Sequence, residues 1–474
     1  NRFYFGADPR QTSISMDVIN NSWGFDGIHQ IFADNFSSTS GTQIGSDSDP
    51  LHAIDYASAF GRDPQRYSDG INHVGDGLGS VIVWSAGNTG NAGNNVNYHN
   101  YPNSPQTITV ASISDSNGVH SFFSNPGAAL LVSAPGESIE VAQSDGTASE
   151  TVVSAWSGTS AAAPLVSGVV ALMLEANPGL GWRDVQEILA YSARKNDASA
   201  NSWETDGVYD GSGPETNGAT NWNGGGLHFS HDYGFGLVDA TAAVRLAETW
   251  LLNPGSVAHT THNLSNGTAV RGNPNPNVND DYVDYGVTAA GTNSTNGTIP
   301  DNDAVTGLSR NITVTDTTVI DMVQVELRIT ATGLSTAFAN PGDIRITLES
   351  PNGTVAVLAD NPANGTQNGS SFFPTLWTFS ANNFWGERGN DGDGVWHLTI
   401  YDEVSGAVAD FDEWSLRLWG DAPSDDSTWF YSDAFSSQTL TDTSGTDAIN
   451  AAMQANILLQ VQAQTLADLA SGAQ

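Results

Sequence analysis

The sequence contains no cysteine among its 474 residues. That absence excludes thiol catalysis, disulfides, zinc thiolates and iron–sulfur clusters, without fixing a compartment. Positive charge is scarce as well: 14 Lys and Arg stand against 52 Asp and Glu, Lys195 is the one lysine, and the formal net charge is −38. Phosphate backbones and anionic membrane surfaces repel such a chain, so neither nucleic acid nor a charged bilayer surface is an expected partner. No long apolar run occurs. The best, residues 164–174, is interrupted by Ser167 and Gly168 and is short of the roughly 18 residues of a membrane span. Asn1 is not followed by a basic and then an apolar segment of the secretory-signal kind. Glycine (50) and proline (19) make up about 15% of the chain, below the ~25–30% of low-complexity disorder.

What remains is enough apolar residue for a core and enough length for two or three folded units. The acidic, Asn- and Ser-rich exterior suits salty or calcium-rich water outside a cell, where cations screen carboxylates. Residues 1–252 alternate short apolar runs with helical patterns, which predicts a parallel sheet with crossover helices. Val81-Ile82-Val83-Trp84 and Thr107-Ile108-Thr109-Val110 read as buried strands, and residues 165–175 and 182–192 as helices. Residues 253–298 are rich in Asn, Gly, Thr and Asp and read as a linker or loose edge. From 299 to 422 the period is two: Ile344, Ile346 and Leu348 share one face, Trp396, Leu398 and Ile400 another, and Trp414, Leu416 and Leu418 a third. Turn signals between these runs predict a β-sandwich. Residues 423–474 form an acidic tail in which Ile449, Met453 and Ile457 suggest a helix over 447–469.

Gly158-Thr159-Ser160-Ala161-Ala162-Ala163-Pro164-Leu165-Val166-Ser167-Gly168 opens the longest apolar helix, placing Ser160 at the positive end of its dipole among small residues. A serine in an Ala-rich first turn is by itself an ordinary N-cap. The whole run, however, resembles the active-serine signature of the subtilase family of serine endopeptidases, which implies that Ser160 is the nucleophile. Ser85-Ala86-Gly87-Asn88, after the strand at 81–84, is similar to the segment whose Asn enters the oxyanion hole, so the resemblance implies Asn88 in that role. Ser85, Ala86 and Gly87 then wall the specificity pocket. Asn20-Asn21-Ser22-Trp23-Gly24 resembles the subtilase edge strand, with Ser22, Trp23 and Gly24 binding an extended substrate through the main chain. The plain alternative has Trp23 as core and Gly24 as a turn.

Ser230-His231-Asp232-Tyr233-Gly234-Phe235-Gly236-Leu237-Val238-Asp239-Ala240 resembles the end of the catalytic domain in kexin- and furin-like proprotein convertases. The runs around Gly342-Asp343-Ile344 and Trp414-Ser415-Leu416 resemble their P domain. The implied fold is an α/β subtilisin-like parallel-sheet domain, represented by its C-terminal portion, followed by an all-β P-domain sandwich that stabilises it.

The same resemblance calls for an Asp and a His ahead of the edge strand. Only 21 residues precede Ser22, and none is a histidine. His29, His52, His73, His99 and His120 all follow it. The expectation is therefore a nucleophile-bearing portion, inactive alone, whose Asp and His reside in a separate N-terminal fragment. The convertases' carboxylate-lined pocket falls near Gly27, Asn94, His99 and Asn125, with Asp26 as the one nearby acid, so a preference for basic residues is not expected. Calcium is implied by the family, with uncertain sites; Asp391 and Asp393 are weak candidates beside a solvated-turn reading. Trp429-Phe430-Tyr431 and the following Thr- and Asp-rich run resemble the lead-in to the calcium-binding repeats of type I-secreted bacterial proteases, although the repeats are absent. The expected protein is a secreted bacterial serine endopeptidase acting on peptide or protein substrates. The alternative is an inactive secreted binding or structural protein on the same scaffold.

Overall fold

A computed structural model describes residues 16–24, 62, 78–99, 101–144, 150–197, 216–223, 225–252, 283–284, 297–315, 317–331, 341–362, 377–406, 409–421, 427–433, 440, 445 and 447–454. Asp26, Gly27, His29, His52 and His73 lie outside them. The first module is built on a parallel sheet of β1 (Val18–Asn21), β2 (Val81–Ser85), β3 (Thr107–Ser114) and β4 (Val132–Glu137), in that order. β2 is buried along its whole length, as its unbroken apolar run requires of a strand covered on both faces. An antiparallel hairpin, β5 (Ile139–Ser144) and β6 (Glu150–Trp156), leads into α1 (Thr159–Ala176).

Helix α1 packs against the sheet through Ala162, Ala163, Val166, Val170 and Met173, and α2 (Trp182–Ser192) and α3 (Ala240–Thr249) complete that layer. Each fully buried Val, Leu or Met side chain here contributes about 1.5–3 kcal/mol. By length and composition α1 would suffice to cross a bilayer. The run of 164–174 understated it, because the helix starts at Thr159 and ends at Ala176. In the fold it is the core helix of the first module.

The second module is a two-sheet antiparallel sandwich. One sheet runs β13 (Trp377–Ala381), β10 (Val319–Ala331), β15 (Ala409–Asp421), β7 (Val283–Asp284), with β8 (Gly297–Thr298) also on β15; the other runs β12 (Val355–Asp360), β11 (Ile344–Glu349), β14 (Val395–Asp402), β9 (Asp303–Thr313). The three faces read from period two, carried by Ile344, Trp396 and Trp414 and their partners, all point into its core. Residues 253–298 are more than a linker. Val283–Asp284 and Gly297–Thr298 pair with β15, because a sandwich edge takes up any extended segment that satisfies its open N–H and C=O groups.

Of the helix expected over 447–469, residues 455–469 lie outside the described residues, and the described part takes a different form. Where Ile449 and Met453 suggested a helix, β17 (Ala448–Asn450) pairs in parallel with β16 (Thr428–Phe430), leaving Ile449 half exposed and Met453 buried against the first module. Phe430 explains the choice: it stacks on Tyr191 at 4.4 Å and Trp250 at 5.3 Å between centroids, contacts no isolated amphipathic helix would supply.

The two modules meet across a polar, buried seam. Asn103 donates to Thr378 O at 2.7 Å and accepts from Ser380 N–H at 2.8 Å; Asn97 donates to Ser380 O at 2.7 Å, and Asn217 to Asn383 O and Trp385 O. Arg183, on α2, reaches Asp321 through Nε at 3.1 Å, Asp421 at 2.9 Å and Glu187 at 3.4 Å.

Candidate active site

Ser160 is the second residue of α1, where a backbone N–H has no intrahelical acceptor and the helix dipole is positive. Gly158 caps the helix at φ +155°, a conformation side chains rarely adopt. The cap lacks a side-chain bond of its own, and Asn88 supplies one from across the sheet: its Oδ1 accepts from Thr159 N–H at 2.8 Å and from Thr159 Oγ at 2.9 Å. Thr159 Oγ in turn accepts from Gly87 N–H at 3.1 Å, so the end of β2 and the start of α1 are tied together.

With its oxygen held on Thr159, the Asn88 amide presents its NH2 to the other side. A Cβ built on Gly158 would sit 3.5 Å from Asn88 Nδ2 and 3.7 Å from Ser160 N. Two N–H donors therefore flank one small open volume beside the serine. Among the described residues neither takes an acceptor, and Asn88 is exposed while Ser160 is partly so. A pair of donors beside a hydroxyl is the arrangement an oxyanion needs.

Ser22 anchors the nucleophile from β1. Pro164, four residues after Ser160, has no N–H to give to the Ser160 carbonyl, and Ser22 Oγ donates to that carbonyl instead, at 3.2 Å. Ser160 Oγ faces back to Ser22 O at 3.4 Å. Among the described residues no histidine hydrogen-bonds Ser160. His99 Nε2 pairs with Asn94 at 2.9 Å, and His120 is edge-on to Tyr233.

The structure brings Ser22, Gly87, Asn88 and Ser160 into one place. Trp23 divides its roles: its ring packs edge-on to Trp84 at 4.7 Å and Tyr101 at 5.4 Å, its carbonyl accepts from Trp84 Nε1 at 2.9 Å, and Gly24 beside it is exposed. Among the described residues nothing pairs with the outer edge of β1. Ser85 and Ala86 are buried in the end of β2. Gly87, at φ +105°, lies so close to Asn125 that a Cβ would stand 2.4 Å from its Nδ2, so no larger residue fits.

Beneath it lies a network the sequence did not expose as a unit. Asn125 accepts from Thr89 N–H at 2.9 Å, Thr89 Oγ accepts from Asn94 at 2.9 Å, and Asn94 pairs with His99. Among the described residues this group is built of amides, a hydroxyl and an imidazole, with no carboxylate. The buried carboxylates of Glu187 and Asp321 and the half-buried one of Asp421 do converge, but Arg183 pairs with all three. Asp391 and Asp393 cap their own turn, accepting from Arg388 N–H and Val395 N–H, each at 2.9 Å.

Residues 10–236 match the subtilase family, and residues 320–418 match the proprotein convertase P-domain. The chain is 29% identical over 395 residues to proprotein convertase subtilisin/kexin type 5 of Homo sapiens, an alignment that takes in 78% of this chain and 18% of that protein. It is 29% identical over 363 residues to the dibasic-processing endoprotease of Schizosaccharomyces pombe, covering 76% of this chain and 44% of that one. The chain thus spans less than half the length of these relatives. Among solved structures its fold is similar to a serine protease of Aeromonas sobria, with a TM-score of 0.58 at 19% identity over 85% of this chain and 71% of the other.

Proposed function

The chain belongs to the subtilase family and carries a proprotein convertase P-domain, and from that membership and the geometry at Ser160 we propose that it is the nucleophile-bearing portion of an exported serine endopeptidase. One observation carries the reading: Asn88 Nδ2 and Ser160 N–H, which take no acceptor among the described residues, lie within 4 Å of one point beside Gly158, at the start of the helix that carries the Ser160 hydroxyl. A fold that used Ser160 only as scaffold has no physical need to leave both unpaired.

In the proposed reaction an extended peptide lies along residues 22–24, with its carbonyl carbon at Ser160 Oγ. A histidine of the family's triad takes the hydroxyl proton as the C–O bond forms. The oxyanion is held by Asn88 and the Ser160 N–H, the amine leaves with the histidine's proton, and water releases the acyl group. The Asp and His come from a segment other than the one described, so this chain by itself is inactive or nearly so. Export is supported by the acidic, lysine-poor composition. The uncharged network of Asn125, Thr89, Asn94 and His99 beside Gly87 supports a preference for an uncharged side chain before the scissile bond.

The test is hydrolysis of a peptide series by the chain joined to an Asp- and His-bearing segment. The expected result is cleavage that Ser160→Ala abolishes, with no preference for Arg over neutral residues. An Arg preference above tenfold in kcat/KM contradicts the neutral pocket, and cleavage that survives Ser160→Ala contradicts the nucleophile.

A further inference from the structure

Helix α1 has two apolar faces, and the described fold uses one of them. Ala162, Val166, Val170 and Met173 are buried against the sheet, whereas Leu165, Gly168, Ala171, Leu172 and Glu175 are exposed. Leu165 is 45% and Leu172 55% exposed. Residues 165, 168, 172 and 175 succeed one another at steps of three, four and three, which lays them on one stripe of the helix. The helix carries no charge before Glu175. A contiguous apolar face on the outer side of a core helix marks a place where something packs.

Gly168 indicates what kind of contact this is. Glycine is the poorest helix former after proline, so one in the interior of a helix needs a reason. The described fold supplies none, since a Cβ built on Gly168 would meet nothing within 4 Å outside its own helical turn. Set between Leu165 and Leu172, the glycine forms a notch, and a notch lets a second backbone approach more closely than a full row of side chains does. A lipid surface gains nothing from it. The occupant is therefore a closely packed polypeptide element.

The stripe is continuous with a second open surface. Ser167 Oγ, beside it, donates to Asn20 Oδ1 on β1 at 3.0 Å, and β1 is the end strand of the sheet. Val18 and Ile19 on that strand are only half-buried, and Met16 just ahead of it is 50% exposed. Strands of a parallel sheet are ordinarily covered on both faces, as β2 is. Open helix face and open strand thus meet on one side of the first module, next to Ser160.

We propose that this surface is the docking site of the Asp- and His-bearing segment, which lays a helix along Leu165, Gly168 and Leu172 and extends the sheet at β1. The inference rests on the reading of Ser160 as the nucleophile: a histidine that takes its proton must come from chain lying beside the first turn of α1, and the stripe begins there. A second copy of this chain is a poorer occupant, because each copy brings a formal charge of −38 to the contact.

The test titrates that segment, as a separate polypeptide, against the full chain carrying Ser160→Ala, so that binding is read without turnover. Leu172→Glu places a charge on the stripe about 18 Å along the helix from residue 160, away from the chemistry. Gly168→Leu has room in the folded chain, keeps the surface apolar and fills the notch, so it decides the matter if the first variant fails to fold. Each variant is expected to keep the parent's unfolding midpoint or exceed it, and to weaken binding of the segment at least about tenfold. A parent chain that does not bind the segment, or unchanged binding by either folded variant, overturns the docking site even if the joined enzyme cleaves peptides. Weakened binding in both, beside a joined chain that cleaves nothing, supports the docking site and counts against Ser160 as nucleophile. Tighter association of Gly168→Leu with neutral phosphatidylcholine vesicles or with itself, at unchanged affinity for the segment, overturns the proposal in favour of a membrane or a second copy.

Discussion

Asn88 does two things with one amide: its oxygen caps α1 through Thr159, and its nitrogen is thereby aimed at the space beside Ser160. The proposed oxyanion role would be coupled to the cap because the amide is planar, so fixing one end fixes the other. Asn88→Ala is expected to lower kcat in the completed enzyme about 10²–10³-fold with KM little changed, since the lost bond strengthens only in the transition state. A fall confined to KM would place Asn88 in ground-state binding instead. Ser160 and Asn88 were legible in the sequence because each sits in a short motif whose neighbours are small for a steric reason. For Trp23 the sequence offered a core residue as the alternative to substrate binding, but not its partner Tyr101, which is far along the chain. Nor did it offer the link between Pro164 and Ser22, in which an absent N–H on one element is made good by a hydroxyl on another.

At the scale of elements, the turn carrying His231 is locked onto β12 by a hydrogen bond from Val357 N–H to His231 Nε2 at 3.1 Å. The imidazole must be neutral to accept it, and complete burial pushes its pKa down from 6.5 to about 4. The unfolded chain therefore binds this proton first as pH falls. The contribution is complete above pH 6.5 and is lost as pH drops toward 4, on the order of 3 kcal/mol. Asp321, Asp360, Glu387 and Asp402 have raised carboxyl pKa values and act in the opposite sense. The His231 effect is thus read as a difference: His231→Gln is expected to flatten the acid-side fall of the unfolding midpoint between pH 6.5 and 4. Parallel curves for the two proteins would contradict a neutral buried histidine. The strands at 81–84 and 107–110 and the helix at 182–192 were readable from apolar period alone. β7, β8 and β17 were not, because two- or three-residue strands are fixed by the partner they meet rather than by their own pattern.

Over the whole molecule, two apolar cores are joined by a seam of buried asparagines and by Arg183 among three carboxylates. The order of the modules could be read from composition and period. Their docking could not, since Asn97, Asn103 and Asn217 resemble the surface asparagines that fill this acidic sequence, and only the fold distinguishes a buried amide from a solvated one. In the first module Ser160 is proposed to be an activated nucleophile once the Asp and His are present. Intact-mass analysis after treatment with a fluorophosphonate tests it most directly, because that reagent phosphonylates a serine only where a base and an oxyanion site act together. A single adduct, mapped to Ser160, is expected when the Asp- and His-bearing segment is supplied, and none on Ser160→Ala. A completed, folded protein that takes up no reagent would contradict it.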